Sequence, residues 1–318
     1  MKIALITPAR PGTRTGNRHT ALRWAAFLRA AGHRVSISTE WNGEPADAML
    51  ALHARRSHAS IKEFPGPVVL ALTGTDIYQD IHRSPEARRS IDLARELIVL
   101  QAKAAEEVPG RRVHVVVQSS STRLRHKPVR KFRVCVIGHL RAVKDPLLTL
   151  KALKHVKRDL EVIQLGELLE PDFKPKTSDP RYRWLGSVPH GRALKWLASS
   201  HAMVISSRME GGANVVCEAL RIGVPVLASR IPGNVGLLGR DYAGYFPVED
   251  EGALAGLMAR VASDRRFYES LKTQVKRLRA KVAPQAEARA LLAALSGLPG
   301  ARPAATRRAR GTRGTRAR

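Results

Sequence analysis

Apolar residues along this chain form short continuous runs that alternate with longer stretches in which they recur every three or four positions. Short apolar runs are typical of buried strands, and the helical spacing predicts helices that cover a sheet. We expect strands over residues 2–8, 33–39, 47–52, 67–72 and 111–118, a helix over 18–32, and a helix leading into a strand over 85–100. This alternation predicts a parallel sheet built from βαβ units.

The same alternation begins again after residues 121–131, a basic and proline-marked segment that we interpret as a linker. Further strands are expected over 132–138, 160–166, 181–188, 201–207 and 224–229, with helices over 146–156, 193–200 and 214–223. We therefore predict two Rossmann-like domains, residues 1–125 and 126–298, that face each other across a cleft. The last helices of the second domain are expected to pack back on the first.

The charge of the chain points to anionic ligands. The 318 residues carry a formal net charge of +28, and a positive field of that size attracts anionic small molecules as well as nucleic acids. Residues 299–318 are expected to be a disordered basic tail, because the last eighteen contain seven arginines, no acid and no large apolar side chain. Aromatic residues make up only 5% and no nucleic-acid-binding motif is visible, so specific nucleic acid binding is not expected.

The remaining composition favours a cytoplasmic protein. Cys135 and Cys217 lie inside apolar runs without metal ligands at zinc spacing, so we expect buried thiols. No D-x-D motif or His/Asp cluster indicates a metal, and no cofactor is expected. The first apolar run is broken by Pro8, and no run of about 18 apolar residues predicts a membrane span.

Polar or basic loops follow the predicted strands of the first domain, at the edge where open α/β sheets bind ligands. They cover residues 9–18, 53–57, 73–76 and 118–121. Gly12 and Gly16 in the first loop allow an anion to approach the backbone just before a helix begins. The spacing is not the dinucleotide-binding fingerprint, and an ordinary glycine-rich turn explains it equally well.

These loops also contain the residues expected to hold an anionic substrate in the cleft, because guanidinium groups match phosphate oxygens. The arginines are Arg10, Arg14, Arg18, Arg55 and Arg56. His53 and Asp76 lie in the same loops, although a structural histidine and a helix N-cap are the alternative interpretations of these two residues.

The stretch RMEGGANVVCEAL in the second domain combines carboxylates with glycines. Gly211, Gly212 and Ala213 precede a helix expected from Asn214, so backbone N–H groups and the helix dipole predict an anion site. Glu210 and Glu218 flank that site, and carboxylates accept hydrogen bonds from hydroxyls. A nucleotide sugar meets both requirements, because it carries a diphosphate and vicinal hydroxyls.

A cation is needed opposite the diphosphate. Lys144 and Arg141 follow the first strand of the second domain, within GHLRAVKDP. Single motifs give false matches, and a lone lysine would be interpreted as solvated surface. The combination of a glycine, a lysine six residues later and the E-x₇-E segment, all after strands of one sheet, favours the nucleotide-sugar interpretation.

The E-x₇-E segment, its continuation CEALRIGVPVLAS and the glycine–lysine loop resemble retaining GT-B glycosyltransferases of family 4 over nearly the whole chain except the tail. Within that family, the first 33 residues together with LALHARRS, LTGTDIY and IGHLRAVKDP are similar to the selenosugar synthases of bacterial selenoneine biosynthesis. Those enzymes join selenophosphate to UDP-N-acetylglucosamine.

The resemblance implies catalytic roles for Lys144 on the diphosphate, Arg141, and Glu210 on the sugar hydroxyls. It implies a donor site that comprises Gly211, Gly212, Ala213, Asn214, Glu218 on the ribose, and Val188. The implied acceptor site comprises Gly12, Thr15, Gly16, Asn17, His53, Arg55, Arg56, Thr73, Gly74, Thr75 and Asp76. The chain departs from the family pattern at one position. The family usually has an arginine directly after the loop glycine, whereas this chain has His139 there and Arg141 two residues later.

The implied reaction agrees with these residues. Selenophosphate is anionic and its selenium is already a strong nucleophile, so no general base is required. UDP gains charge as it leaves, and Lys144, Arg141 and the loop amides are expected to stabilise it. Two alternatives stay open, an ordinary family 4 transferase with a hydroxyl acceptor and a nonenzymatic nucleic-acid-binding protein. The anomeric configuration, the order of phosphate loss and the oligomeric state stay open as well.

Overall fold

The computed structural model describes residues 1–13 and 15–299, which form two parallel sheets covered by helices. The α/β fold of two Rossmann-like domains predicted from the sequence is therefore confirmed. Arg14 and all but the first residue of the predicted tail lie outside the described residues.

The first sheet has the strand order β2-β1-β3-β4-β5-β6. Its strands are β1 Lys2–Ile6, β2 Arg34–Ser38, β3 Ala48–Leu52, β4 Val68–Leu72, β5 Glu96–Val99 and β6 Val113–Val115, and its helices are α1 Gly16–Ala30, α2 His58–Glu63, α3 Ile81–Arg83 and α4 Pro85–Leu93. Strands β3 and β4 are buried at every position, because helices cover both faces, and this explains their unbroken apolar runs.

The second sheet has the strand order β12-β11-β10-β7-β8-β9. Its strands are β7 Phe132–Ile137, β8 Leu160–Leu165, β9 Tyr182–Trp184, β10 Ala202–Ile205, β11 Val226–Ser229 and β12 Tyr245–Phe246. The helices of this half are α5 Leu148–Leu153, α6 His190–Ala198, α7 Asn214–Ile222, α8 Pro232–Leu238, α9 Glu251–Ser263, α10 Arg265–Leu278 and α11 Pro284–Leu295.

Each sheet has one point where the strand order reverses, and ligands of such sheets bind there, beyond the carboxyl ends of the strands. In the first sheet that point lies between β1 and β3, so the loops at 9–18 and 53–57 are neighbours. In the second sheet it lies between β7 and β10, whose following loops carry Lys144 and Glu210. The topology thus brings together the loops that the sequence singled out.

Several elements are shorter than expected, including β9, which covers only Tyr182–Trp184 of the strand expected over 181–188. The predicted strand over 111–118 is limited to β6, because Val116 makes the last ladder bond to the Val99 carbonyl and the chain then leaves the sheet towards the second domain. The predicted helix over 146–156 begins only at Leu148, after Asp145 adopts a left-handed conformation with φ of 41°. Residues 116–130 contain no helix or strand.

Helix α11 returns to the first domain. Its Leu291 and Leu295 are buried in the same cluster as Ile3 and Trp24 of the first sheet and α1. Within the described residues, no helix is both long and apolar enough to cross a membrane.

Candidate active site

The two domains touch where the loop after β10 meets the loop after β4. A Cβ atom added to Gly211 would lie 2.3 Å from the Thr73 carbonyl oxygen, and one added to Gly212 would lie 2.5 Å from Cβ of Leu100. Neither glycine has a positive φ, so close approach of the two domains, and not backbone conformation, requires glycine at both positions. The predicted anion loop therefore faces the first domain directly.

Lys144 and Glu210 form an ion pair at the reversal point of the second sheet. The Ser207 hydroxyl donates a hydrogen bond of 2.6 Å to the same Glu210 oxygen. Glu210 is buried, whereas 24% of the Lys144 side chain is exposed. A cavity opens beside this pair, lined by Val136, Ile137, Gly138, Lys144, Pro146, Gln164, Val204, Ile205, Ser206 and Ser207. The structure thus joins two of the three predicted catalytic residues.

The third, Arg141, is exposed at the start of the short helix Ala142–Lys144. The loop around it is fixed by the Ser206 hydroxyl, which donates to the carbonyl oxygens of Lys144 and Asp145 at 3.0 and 2.8 Å. Burial raises the pKa of Asp145. Lys144 is therefore held on the loop, while Arg141 is held only through its backbone.

Glu218 accepts a hydrogen bond of 2.7 Å from Nε2 of His190. Bonding to Glu218 raises the pKa of His190, because the carboxylate favours the imidazolium form. His190 is the first residue of α6, two positions after Val188, which packs partly buried beside Ile163 and Ala193. His190 was not predicted from the sequence, since only the fold brings it to Glu218.

Helix α1 of the first domain reaches the same place. The ring centroids of His19 and His190 lie 5.5 Å apart, and burial lowers the pKa of His19. Asn214, the first residue of α7, accepts a hydrogen bond of 3.2 Å from Arg23. Ala213 precedes it as N-cap and supplies no side-chain acceptor to the first turn of α7.

The predicted acceptor loops are tied together by Asp76. This buried carboxylate accepts hydrogen bonds from the backbone N–H groups of Thr73 at 2.9 Å, Gly74 at 2.6 Å and Ala54 at 3.1 Å. Asp76 is the first residue of the short π-helix Asp76–Asp80, and Thr75 occupies the cap position, so the helix N-cap interpretation does not hold. Asp76 fixes the loops after β3 and β4 to each other.

His53, Thr75, Arg55 and Asp80 form a polar cluster beside these loops. Nε2 of His53 lies 3.2 Å from the Thr75 hydroxyl and 3.8 Å from Asp80, and burial lowers the pKa of His53. His53 has a φ of 79°, a left-handed conformation that is uncommon outside glycine. Asp80, which the sequence analysis missed, forms an ion pair of 3.1 Å with Nε of Arg55.

The other predicted acceptor residues are placed as follows. Thr15 is the N-cap of α1, with its hydroxyl accepting from the Arg18 N–H at 3.4 Å, and Gly16 and Asn17 form the first turn. Gly12 has a φ of 82°. Arg10 and Arg56 are exposed and Arg18 is half-buried. Among the four described arginines, Arg55 alone makes an ion pair, with Asp80.

Comparison with known proteins identifies the activity. Residues 131–264 match the family described as "Glycosyl transferases group 1". Glycosyltransferase 1 domain-containing protein 1 of Xenopus tropicalis is 25% identical over 321 residues, which covers 86% of this chain and 92% of that protein. The protein is a glycosyltransferase.

Solved structures give the fold of this glycosyltransferase as GT-B. Anabaena HepE in complex with UDP-glucose superimposes with a TM-score of 0.75 at 16% identity, over 94% of this chain and 100% of HepE. Sucrose-phosphate synthase from Thermosynechococcus elongatus superimposes with a TM-score of 0.71 at 15% identity, over 90% of this chain and 96% of that one. In the described residues of the glycosyltransferase, no group of three or more His, Cys, Asp or Glu is arranged to hold a metal.

Proposed function

We propose that this glycosyltransferase uses a UDP-sugar donor bound at the reversal point of the second sheet. The observation that carries the proposal is the convergence of the Lys144–Glu210 ion pair with the first turn of α7 at that point. The complexes of HepE with UDP and with UDP-glucose, on the same fold, support the choice of nucleotide.

Each donor residue has a physical task in this proposal. The N–H groups of the first turn of α7 bind the diphosphate with help from the helix dipole. Lys144 stabilises the charge that grows on the departing UDP. Glu210 orients Lys144 and accepts from a sugar hydroxyl, while Glu218 accepts from the ribose hydroxyls with one oxygen held by His190. Val188 and Gly212 contribute to the donor pocket wall.

For the acceptor we propose selenophosphate, with UDP-N-acetylglucosamine as donor. The selenium attacks the anomeric carbon and the bond from that carbon to the diphosphate oxygen breaks, so UDP leaves with the electron pair. Water then cleaves the selenium–phosphorus bond and releases phosphate and 1-seleno-N-acetylglucosamine. The cationic loop residues Arg55 and Arg56 and the Gly12–Asn17 loop are assigned to the acceptor phosphate. The resemblance to selenosugar synthases supports this assignment.

A hydroxyl acceptor is the second candidate, and His53 favours it. A hydroxyl is a weak nucleophile and is activated by a general base whose pKa lies near the operating pH. Burial lowers the pKa of His53, so its imidazole is neutral at pH 7, and Nε2 already lies 3.2 Å from the Thr75 hydroxyl. In this second candidate the neutral imidazole of His53, buried beside the predicted acceptor loops, takes the proton of a sugar or lipid hydroxyl.

Product release separates the two candidates. The purified protein is incubated with UDP-N-acetylglucosamine and either selenophosphate, inorganic phosphate or a panel of sugar alcohols, and UDP and phosphate are measured together. The selenophosphate proposal expects equal amounts of UDP and phosphate with selenophosphate alone. UDP release that depends on an alcohol, and not on selenophosphate, would establish the hydroxyl acceptor instead.

A further inference from the structure

Helix α1 of the first domain presents one face to the donor residues of the second. His19 and Arg23 are one helical turn apart and therefore lie on the same side of α1. His19 stacks near His190, the partner of Glu218, and Arg23 contacts Asn214. The site assigned to the donor is thus lined on one side by a helix of the other domain.

Arg23 is held in a fixed orientation by a buried carboxylate. Its Nε donates to Oε2 of Glu287 at 2.7 Å and its Nη2 donates to Oε1 at 3.0 Å, a bidentate pair. Glu287 is fully buried on the returning helix α11 and accepts further hydrogen bonds from the Trp24 indole and from Ser119. A bidentate guanidinium–carboxylate pair fixes angle as well as distance.

The same Nη2 donates to Oδ1 of Asn214 at 3.2 Å across the cleft. A guanidinium only donates hydrogen bonds, so Arg23 can bond only the carboxamide oxygen of Asn214, and the NH₂ group of Asn214 points the other way. That group lies beside α1's first turn, because a Cβ on Gly16 would be 3.6 Å from Nδ2. The NH₂ group of Asn214 therefore lies between the first turn of α1 and the N-terminus of α7, where the predicted anion site begins.

We propose that Arg23 is a positioning residue that sets the Asn214 carboxamide for the donor phosphates. The proposal rests on the donor site assigned above. Glu287 orients Arg23, Arg23 orients Asn214, and Asn214 donates to the bound nucleotide at the N-terminus of α7. In this proposal the donor pocket includes residues of both α1 and α7, which are in contact through Arg23 and Asn214.

A double-mutant cycle on UDP affinity tests this chain of contacts. The variants are Arg23→Lys, Asn214→Ala and the double variant, each measured by calorimetry with UDP. Lysine keeps a positive charge beside Glu287. Its single ammonium group lacks the planar fork that bonds both Glu287 oxygens and reaches Asn214 at the same time. Arg29→Ala is the matched control, because Arg29 is an exposed arginine of the same helix that donates to the Val35 carbonyl.

We expect Asn214→Ala to weaken UDP binding about 10-fold, the low end for a hydrogen bond to a charged group. Arg23→Lys should weaken binding about 5-fold by the same reasoning, and the double variant should bind within 2-fold of Asn214→Ala. Arg29→Ala should bind as the wild type does. Thermal unfolding midpoints near that of the wild type verify that the variants are folded.

A double variant whose loss equals the product of the two single losses would overturn the proposal, as would an Arg23→Lys variant with wild-type affinity. A wild-type protein that binds no UDP would overturn the donor site and this inference with it. The readout contains no acceptor, so it is independent of whether selenophosphate is the acceptor.

Discussion

Lys144 and Glu210 form an ion pair between the loops that follow β7 and β10. Both are predicted to act on the donor, and in the ion pair the two opposite charges neutralise each other. In the proposed function, we expect an incoming diphosphate to share Lys144 with Glu210, so that the lysine stays oriented towards the bond that breaks. The pair makes Lys144 a fixed charge, and fixed charges stabilise a transition state without reorganisation.

Replacement of Lys144 with alanine should therefore lower turnover more than donor affinity. We expect kcat to fall about 100-fold or more, because charge on the leaving diphosphate grows towards the transition state. Lys151→Ala, at an exposed position on α5, is the control and should retain wild-type kcat. A change confined to the KM for the donor would contradict the role of Lys144.

Glu218 should determine nucleotide affinity. Glu218→Ala should weaken UDP binding about 10- to 100-fold, as expected for hydrogen bonds between ribose hydroxyls and a carboxylate. Glu269→Ala removes an exposed carboxylate of α10 and should leave the calorimetric affinity unchanged. Normal affinity in a folded Glu218 variant would remove this residue from the donor site.

The His190–Glu218 pair should make stability depend on pH. Bonding to Glu218 raises the pKa of His190 above 6.5, so this contribution is fully present below that pH and is lost as pH rises through the raised pKa. The free energy of unfolding measured in urea should therefore be higher for the wild type than for His190→Gln. The difference should be largest at pH 6 and should disappear at alkaline pH. The control, His155→Gln, removes an exposed partner of Glu251. A difference in unfolding free energy that increases with pH would contradict a stabilising bond between protonated His190 and Glu218.

Arg55 and Arg56 should affect the acceptor and not the donor. Arg56→Ala should raise the KM for selenophosphate several-fold while UDP affinity stays within error, because the two proposed binding sites lie on different domains. Arg55→Ala should do the same and also free Asp80. Arg89→Ala, on the exposed face of α4, is the control. Unchanged selenophosphate kinetics in both variants would remove this acceptor site.

The strands of both sheets and the polar loops that follow them could be predicted from the sequence, because both are determined by residues close together along the chain. Continuous apolar runs predict strands buried on two faces, and polar residues after strands meet at one edge of a parallel sheet. Lys144 and Glu210 were found in this way. The sequence did not predict that they pair with each other, since pairing depends on the register of β7 beside β10.

The residues that the sequence missed belong to contacts between distant elements. Arg23 meets Glu287 across 264 positions, and His190 meets Glu218 across 28. No periodicity connects such positions, because the first contact depends on the return of α11 to α1 and the second on the packing of α6 beside α7. Gly211 was predicted for anion binding, whereas the structure adds close approach to Thr73 as a reason for glycine.

The mass of the product tests the account most directly. The glycosyltransferase is incubated with UDP-N-acetylglucosamine and selenophosphate, and the reaction is analysed by mass spectrometry under reducing conditions, with Lys144→Ala as the matched control. The selenosugar function predicts a selenium-containing N-acetylhexosamine without phosphate, formed by the wild type and strongly reduced in the variant. Intact selenophosphate beside a sugar transferred to a hydroxyl compound would contradict the selenosugar function.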